Sequence, residues 1–322
     1  MSLNQISIIS QKIREEAKGI LKKGSVDVII GFEKGSLPLS ATPCFIRKEA
    51  DVEKLVWNSF CGNSLSQYLI KTKGKVSIIA KGCETRAIVE LIKEKQIQRD
   101  QIVIIGVPCE GMVDRKQILK KCQRKSITKV EDHGEQLLIT GDSLHVAVNK
   151  NEYLYPACQV CTQRNPVIYD VLIGSTSEEQ QIEDFSDVTD FDDKTAEEKW
   201  EYITNEISRC IRCYACRNAC PLCYCKECFV DVTQPQWVGK TTGISDMLVF
   251  HIMRSIHLAG RCIECGACER ACPMMVDIRK LNRRMSSDVK KLFGYKTGLN
   301  IYQPAPLSTF KPDDSEEFML DI

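Results

Sequence analysis

Long apolar runs are missing from this sequence. The longest, "MLVFHIM" at 247–253, is far short of the roughly 20 residues a membrane-spanning helix needs. The N-terminus, "MSLNQISIISQKIREEAKGI", lacks the basic segment, apolar stretch and small-residue cleavage site of a secretory signal and reads as an amphipathic helix. Both absences predict a soluble, cytoplasmic protein. Net charge is nearly absent too: 44 basic against 43 acidic residues give +1, so no global positive field would draw nucleic acid. Aromatics make up only 7%, and no RNA- or DNA-binding signature occurs. Histidine is scarce. His133, His145, His251 and His257 are the four, and none has a nucleophile at a spacing that argues for hydrolytic or transferase chemistry. No G-x-G-x-x-G dinucleotide fingerprint is present.

Cysteine is what the chain has in excess, 18 in all, and without a secretory signal this points to metal binding before disulfides. "CIRCYACRNACP" (210–221) and "CIECGACERACP" (262–273) are two copies of C-x2-C-x2-C-x3-C-P. In this pattern three close thiolates take three corners of one iron–sulfur cube, and the fourth cysteine, turned away at the proline, serves the other cube. The predicted ligands of one [4Fe-4S] cluster are Cys210, Cys213, Cys216 and Cys272, and those of the second are Cys262, Cys265, Cys268 and Cys220. One such motif could hold zinc; two in tandem with both prolines argue for clusters. Between them "ISDMLVFHIMRSIHLAG" (244–260) has helical period, with Ser245 or Asp246 as cap and Gly260 as stop, and "DIRKLNRRMSSDVKKLF" follows as another helix. His251 and His257 fall on the first of these and read as core or surface residues. This region resembles the α-helical dicluster ferredoxin domains of succinate dehydrogenase iron–sulfur subunits and heterodisulfide reductase C subunits. The remainder of the first motif, "LCYCKEC", places Cys223, Cys225 and Cys228 outside that plan. They are candidate additional ligands, with three readings open: an alternative corner ligand, a small extra metal site, or thiols shielding a cluster.

Residues 1–150 alternate between helix and strand. Ile6, Ile9, Ile13, Ala17 and Ile20 form one helical face, and "VDVIIGF", "KVSIIA" and "QIVIIGV" read as buried parallel strands. With a helix between the last two, the class is α/β: an open, mostly parallel sheet followed by a mainly α-helical dicluster domain. Cys83 and Cys109 each follow one of those strands, at the carboxyl ends where open α/β sheets build their sites, with Gly82 and Gly106 expected to let backbone approach a bulky cofactor. With the pair in "CQVC" they form a candidate third [4Fe-4S] site: Cys83, Cys109, Cys158 and Cys161. Cys61 is a competing ligand, whereas Cys44 and Cys122 read as ordinary buried thiols. His133 and His145 lie in an expected hairpin. Residues 178–198 hold ten acids and one lysine and read as a solvated linker. The expected division is thus 1–175, an acidic linker at 176–199, the dicluster domain at 200–285 and an extended tail at 286–322.

"AKGCETRAIVELIKEKQI", "VIIGVPCEGM" and "CQVCTQRNPVIYDVLIG" resemble the beta-subunit family of deazaflavin-reducing hydrogenases and formate dehydrogenases, over roughly residues 55–175. The resemblance implies one [4Fe-4S] cluster in the first domain and FAD, which exchanges a hydride with a deazaflavin and single electrons with clusters. After Gly174, where the rest of a flavin pocket would lie, the chain turns acidic. The expected function is therefore an iron–sulfur electron-transfer subunit of an anaerobic multisubunit oxidoreductase of hydrogenase, formate dehydrogenase or heterodisulfide reductase type. Its expected partners are a catalytic subunit and heterodisulfide-reductase-like or flavin subunits. The alternatives are an FAD oxidoreductase that reduces a soluble deazaflavin, and a non-redox scaffold with structural metal clusters.

Overall fold

The computed structural model describes residues 3–182 and 184–306, with side chains from residue 7 onward. Helix α1 (Leu3–Lys22) buries Ile9, Ile13, Ala17 and Ile20 against the first sheet; the side chain of Ile6 lies outside the described residues. Strands β1 (Val28–Lys34), β2 (Ala41–Ile46), β3 (Val76–Ala80) and β4 (Ile102–Gly106), with helix α2 (Gly82–Lys93) between the last two, build the centre of that sheet. Helix α3 (Arg115–Lys121) and strands β5 (Ile127–Asp132), β6 (Gln136–Gly141) and β7 (Leu144–Asn149) follow, then α4 (Pro156–Gln159) and β8 (Val171–Leu172). The large sheet has the order β2-β1-β3-β4-β8, parallel except at β2. Its central strands are apolar on both faces, and α1, α2 and the 49–71 segment pack on them. Strands β5, β6 and β7 form a separate antiparallel meander over their own small core, with His133 and His145 at its turns and edge.

The acidic stretch is not a solvated linker. It contains α5 (Ser186–Asp192) and leads into α6 (Ala196–Ser208), which Thr195 and Glu198 cap reciprocally. Its acids are ion-paired to the helix α10 (Ile278–Phe293): Asp187 accepts from Arg279 and Arg283, each at 2.6 Å, Asp190 from Lys280 at 3.0 Å, and Asp184 from Lys290 at 2.6 Å. Charge density without apolar period hid a docking surface whose partner lies about ninety residues on. Glu183 lies outside the described residues. Burial alone would raise the Asp187 carboxyl, but the two guanidiniums outweigh it and hold the group below its ordinary value. A carboxyl depressed in the folded state stabilises above the unfolded value and loses that contribution as pH falls through the folded one. Asp187→Asn is accordingly expected to cost about 2 kcal/mol near neutral pH and little in strong acid. Paired thermal melts at the two pH values, with proteolysis of 176–199, read this out.

The remaining helices are α7 (Ala215–Asn218), α8 (Ile244–His257) and α9 (Ala267–Ala271). Helix α8 begins after Gly243, not Ser245 or Asp246. Asp246 instead sits in the first turn and accepts from the amides of Gly239 and Thr241. Helix α10 continues to Phe293, eight residues into the expected tail; residues 295–298 of that tail pack on α2, and residues 307–322 lie outside the described residues. The two regions meet along α2. Ala87 and Leu91 pack on Leu222, Leu258 and Ile263; Arg86 donates to the Thr297 carbonyl, and Arg261 pairs with Glu94. Among the described residues no helix is long and apolar enough to cross a membrane.

Candidate metal centres

The twelve predicted ligand thiols act on one another electrostatically in three groups of four. The first lies at the carboxyl ends of β3 and β4. Cys83 is the second residue of α2, and Cys109 follows β4 by three residues. The C-x2-C pair is brought to them by backbone bonds: the Tyr155 amide donates to Met112 at 2.9 Å and the Asp114 amide to Tyr153 at 2.7 Å. Cys158 and Cys83 then act electrostatically on Cys109, and Cys161 on Cys83. Burial, the dominant effect, pushes the thiols of Cys83, Cys109 and Cys161 above their ordinary value. Gly82 and Gly106 make room for the protein's own chain, not for a cofactor as expected. A Cβ on Gly82 would collide with the carbonyls of Gln163 and Asn165, and one on Gly106 would crowd Pro166 and Tyr169 at 3.0 Å. Cys61 is fully buried but turned elsewhere. Its sulfur takes the Asn58 amide at 3.4 Å, and it feels Lys81 and Glu84, not the other thiols of this quartet. Cys44 and Cys122 sit in the two apolar cores.

The two repeated motifs fold alike. In each, the second residue after the first cysteine (Arg212, Glu264) and the residue after the second (Tyr214, Gly266) take left-handed backbone. These two reversals wrap each loop around one point, and α7 and α9 start from them. The copies differ for a reason. A Cβ at Gly266 (φ +68°) would stand 2.5 Å from that of Ala157, next to Cys158. Tyr214 is free of such a neighbour, and its ring packs edge-on against Phe250. The fourth cysteine of each motif stands with the first three of the other: Cys220 acts on Cys262, Cys265 and Cys268, and Cys272 acts on Cys210 beside Cys213 and Cys216. Cys220, Cys262, Cys265 and Cys268 also line one cavity. Electrostatic influence then runs between sets, from Cys265 on Cys83 and from Cys268 on Cys216, in the order strand-end quartet, middle quartet, outer quartet. Of these twelve thiols only Cys213, in the outer quartet, is exposed.

Amide and side-chain donors already face several sulfurs. The Arg212 amide reaches Cys210 and the Val276 amide reaches Cys272, both at 3.4 Å, and the Asn282 side-chain amide reaches Cys268 at 3.7 Å. His251, placed in sequence among core or surface residues, is buried with Nε2 3.3 Å from Cys210 Sγ; burial and then Arg254 lower it to about 4, so it is neutral. His257 stacks edge-on with Phe229.

The three surplus cysteines separate. Cys223 is hydrogen-bonded to Cys220, and that bond brings its thiol down to about 7 against the effect of burial. Cys228 partners Arg217, and Cys225 is exposed. All three line a cavity of about 280 Å³ with Cys220 and Arg254. Among the described residues, no three His, Cys, Asp or Glu side chains converge as donors to a single metal ion. A cubane asks for a different arrangement, since each thiolate binds a different corner iron and the sulfurs stand further apart.

Residues 73–206 match the family described as coenzyme F420 hydrogenase/dehydrogenase, C terminus of the beta subunit. The match starts later than the expected residue 55 and continues past 175 through the docked acidic segment into α6. Over nearly the whole chain the protein is similar to the F420-dependent formate dehydrogenase subunit beta of Methanocaldococcus jannaschii, 26% identical over 88% of this chain and 90% of that one. It is likewise similar to the F420-dependent formate dehydrogenase 1 subunit beta of Methanococcus maripaludis, at 25% over 90% and 91%. A solved chain of the F420-reducing [NiFe] hydrogenase complex from Methanosarcina barkeri is 18% identical, covers 50% of this chain and 62% of its own, and superposes with a TM-score of 0.38.

Two side chains that sequence reading passed over show what the quartets of this beta-subunit relative fit. Arg254 is 4% exposed, its Nε has no partner, and the groups that act on it most strongly are thiols of Cys223, Cys220, Cys268 and Cys216. Arg270 is surrounded in the same way by Cys265, Cys158 and Cys83. Other arginines of the region, Arg86, Arg261, Arg279 and Arg283, all have carboxylates. A buried guanidinium without an anion costs several kcal/mol, so thiolates and the anionic clusters they hold suit these positions. No spacing marks either arginine; Arg254 is one basic residue in an apolar helix.

Proposed function

We propose that this chain is an iron–sulfur electron-transfer subunit of an anaerobic, cytoplasmic multisubunit oxidoreductase, holding three [4Fe-4S] clusters in its three quartets. A [4Fe-4S] cluster supplies reversible one-electron storage when bound. The chain's own residues do the rest: they place the three ligand sets in order, cover all but the outermost from water, and aim N–H donors at the sulfurs, which favours the reduced forms. The observation that supports this reading is the electrostatic influence between sets, of Cys265 on Cys83 and of Cys268 on Cys216, which links each quartet to the next. The match of 73–206 to the beta-subunit family and the formate dehydrogenase relatives support a place beside a catalytic dehydrogenase or hydrogenase subunit, with a heterodisulfide-reductase-like or flavin subunit as the other neighbour.

A second reading adds FAD and direct exchange with a deazaflavin. A cavity of about 520 Å³ between the sheet domain and α7 and α9 supports it, since Phe60, Tyr155, Arg115 and Arg270 line it and Arg115 Nε has no partner among the described residues. Anaerobic purification with iron, sulfide and flavin counting tests both. The relay predicts about twelve irons per chain and a brown absorbance that dithionite bleaches reversibly, and about eight irons would remove the strand-end cluster. About one FAD per chain would favour the second reading.

A further inference from the structure

Arg254 and Arg270, which form no salt bridge among the described residues, although Glu269 acts on Arg270 electrostatically, occupy corresponding places in the row. Arg254, on α8, faces Cys223, which is hydrogen-bonded to it, then Cys220 and Cys268 of the middle quartet and Cys216 of the outer one, and its Nη2 donates to the Cys216 carbonyl at 3.2 Å. Arg270, on α9, faces Cys265 of the middle quartet and Cys83 and Cys158 of the strand-end one. Its Nη1 donates to the Cys265 carbonyl at 2.6 Å, and the guanidinium lies 5.2 Å from the Tyr155 ring centroid. Each junction therefore contains one cation, set among ligands from both sides. Lys81 and Arg86, buried cations that act on strand-end thiols, differ, because Glu84 at 3.2 Å pairs with the first and Glu264 at 3.4 Å with the second.

We propose that Arg254 and Arg270 are charge bridges, each a fixed cation shared by two consecutive clusters. The proposal rests on the three-cluster reading above. A cluster held by four thiolates is anionic and gains a further negative charge on reduction, so in a poorly polarisable interior an electron on one cluster opposes an electron on its neighbour. A guanidinium among the ligands of both favours the reduced form of both and offsets that repulsion. When an electron leaves one cluster and enters the next, no atom or proton moves, and the shared arginine faces the same total charge before and after. Arginine suits the role because it stays protonated at any working pH.

The test is a redox titration of the full-length, cluster-loaded protein, followed by electron paramagnetic resonance, with iron counted in every sample. Wild-type protein is read first, so that an iron count below about twelve would fail the three-cluster reading before any variant is compared. Arg254→Gln is expected to disfavour reduction of the outer and middle clusters about tenfold each, about 59 mV for a one-electron couple, and to leave the strand-end cluster unchanged. Arg270→Gln is expected to shift the middle and strand-end clusters and leave the outer one unchanged. Arg254→Lys, which keeps the charge, should stay within about twofold of wild type. Unchanged potentials with full iron, equal shifts in all three clusters, or equal shifts in the Lys and Gln variants would overturn the proposal. If Arg254→Gln fails to retain iron, Arg254→Lys decides. Wild-type potentials in a loaded Lys variant support the charge bridge; shifted potentials, or failure of the Lys variant to load as well, assign Arg254 a purely structural role.

Discussion

Gly266→Ala is expected to lower stability by about 3 kcal/mol and to slow electron passage between the strand-end and middle quartets while leaving each quartet's ligands in place. Two effects combine. A non-glycine residue in left-handed backbone costs about 1–2 kcal/mol, and a Cβ 2.5 Å from that of Ala157 adds an overpacking cost of about 1–3 kcal/mol. Gly24→Ala separates them. Gly24 has φ +63° and nothing within 4 Å of where its Cβ would stand, so it carries the strain without the clash and should cost about 1 kcal/mol. Relief of the clash by movement of α9 away from the Cys158 segment would lengthen the path from Cys83 to Cys265. Denaturant melts of both variants, with stopped-flow reduction followed at the strand-end cluster, check the expectation. Equal costs in the two variants would show that the 157–266 contact is not tight.

Cys220→Ser is expected to deplete the middle cluster, and with Cys223 replaced as well to remove it, about four irons per chain, although Cys220 belongs to the first motif. Cys272→Ser, in the second motif, should remove the outer cluster instead. Ligation within each motif would give the opposite pairing, so the spectrum that disappears decides between them. Serine preserves size and burial while replacing a good iron ligand with a poor one. Cys223, hydrogen-bonded to Cys220, is the thiol best placed to substitute, so the single variant should retain part of its middle cluster and Cys220→Ser/Cys223→Ser none. Iron and sulfide analysis with low-temperature paramagnetic resonance of each reduced variant gives the answer.

Periodicity made the sheet domain readable. The apolar runs at 26–32, 75–80 and 101–107 became β1, β3 and β4, and the helical segment between the last two became α2. The repeated cysteine motifs were legible because a cluster ligand set needs fixed local spacing, and the carboxyl-end positions of Cys83 and Cys109 followed from strand order. What could not be read was long-range and electrostatic. Asp187 pairs with Arg283 across 96 residues, a partnership that no local window contains. Arg254 matters through the thiols that surround it, and those come from both motifs. Cys61 stood in sequence as a competing ligand, and its sulfur instead accepts from the Asn58 amide. Glycine at 82 was informative, but the approaching atoms proved to be Gln163 and Asn165.

The gathering of Cys220 with Cys262, Cys265 and Cys268 carries a consequence for how the molecule is made. As the chain emerges during synthesis, the first motif appears with three thiols ready and its fourth committed to partners not yet translated. The outer set in turn waits for Cys272, fifty-two residues behind Cys220. The middle set cannot close before Cys268 is made, nor the outer before Cys272, so both wait for the second motif. A truncation anywhere before Cys272 therefore leaves the outer set open, and one before Cys268 leaves both open.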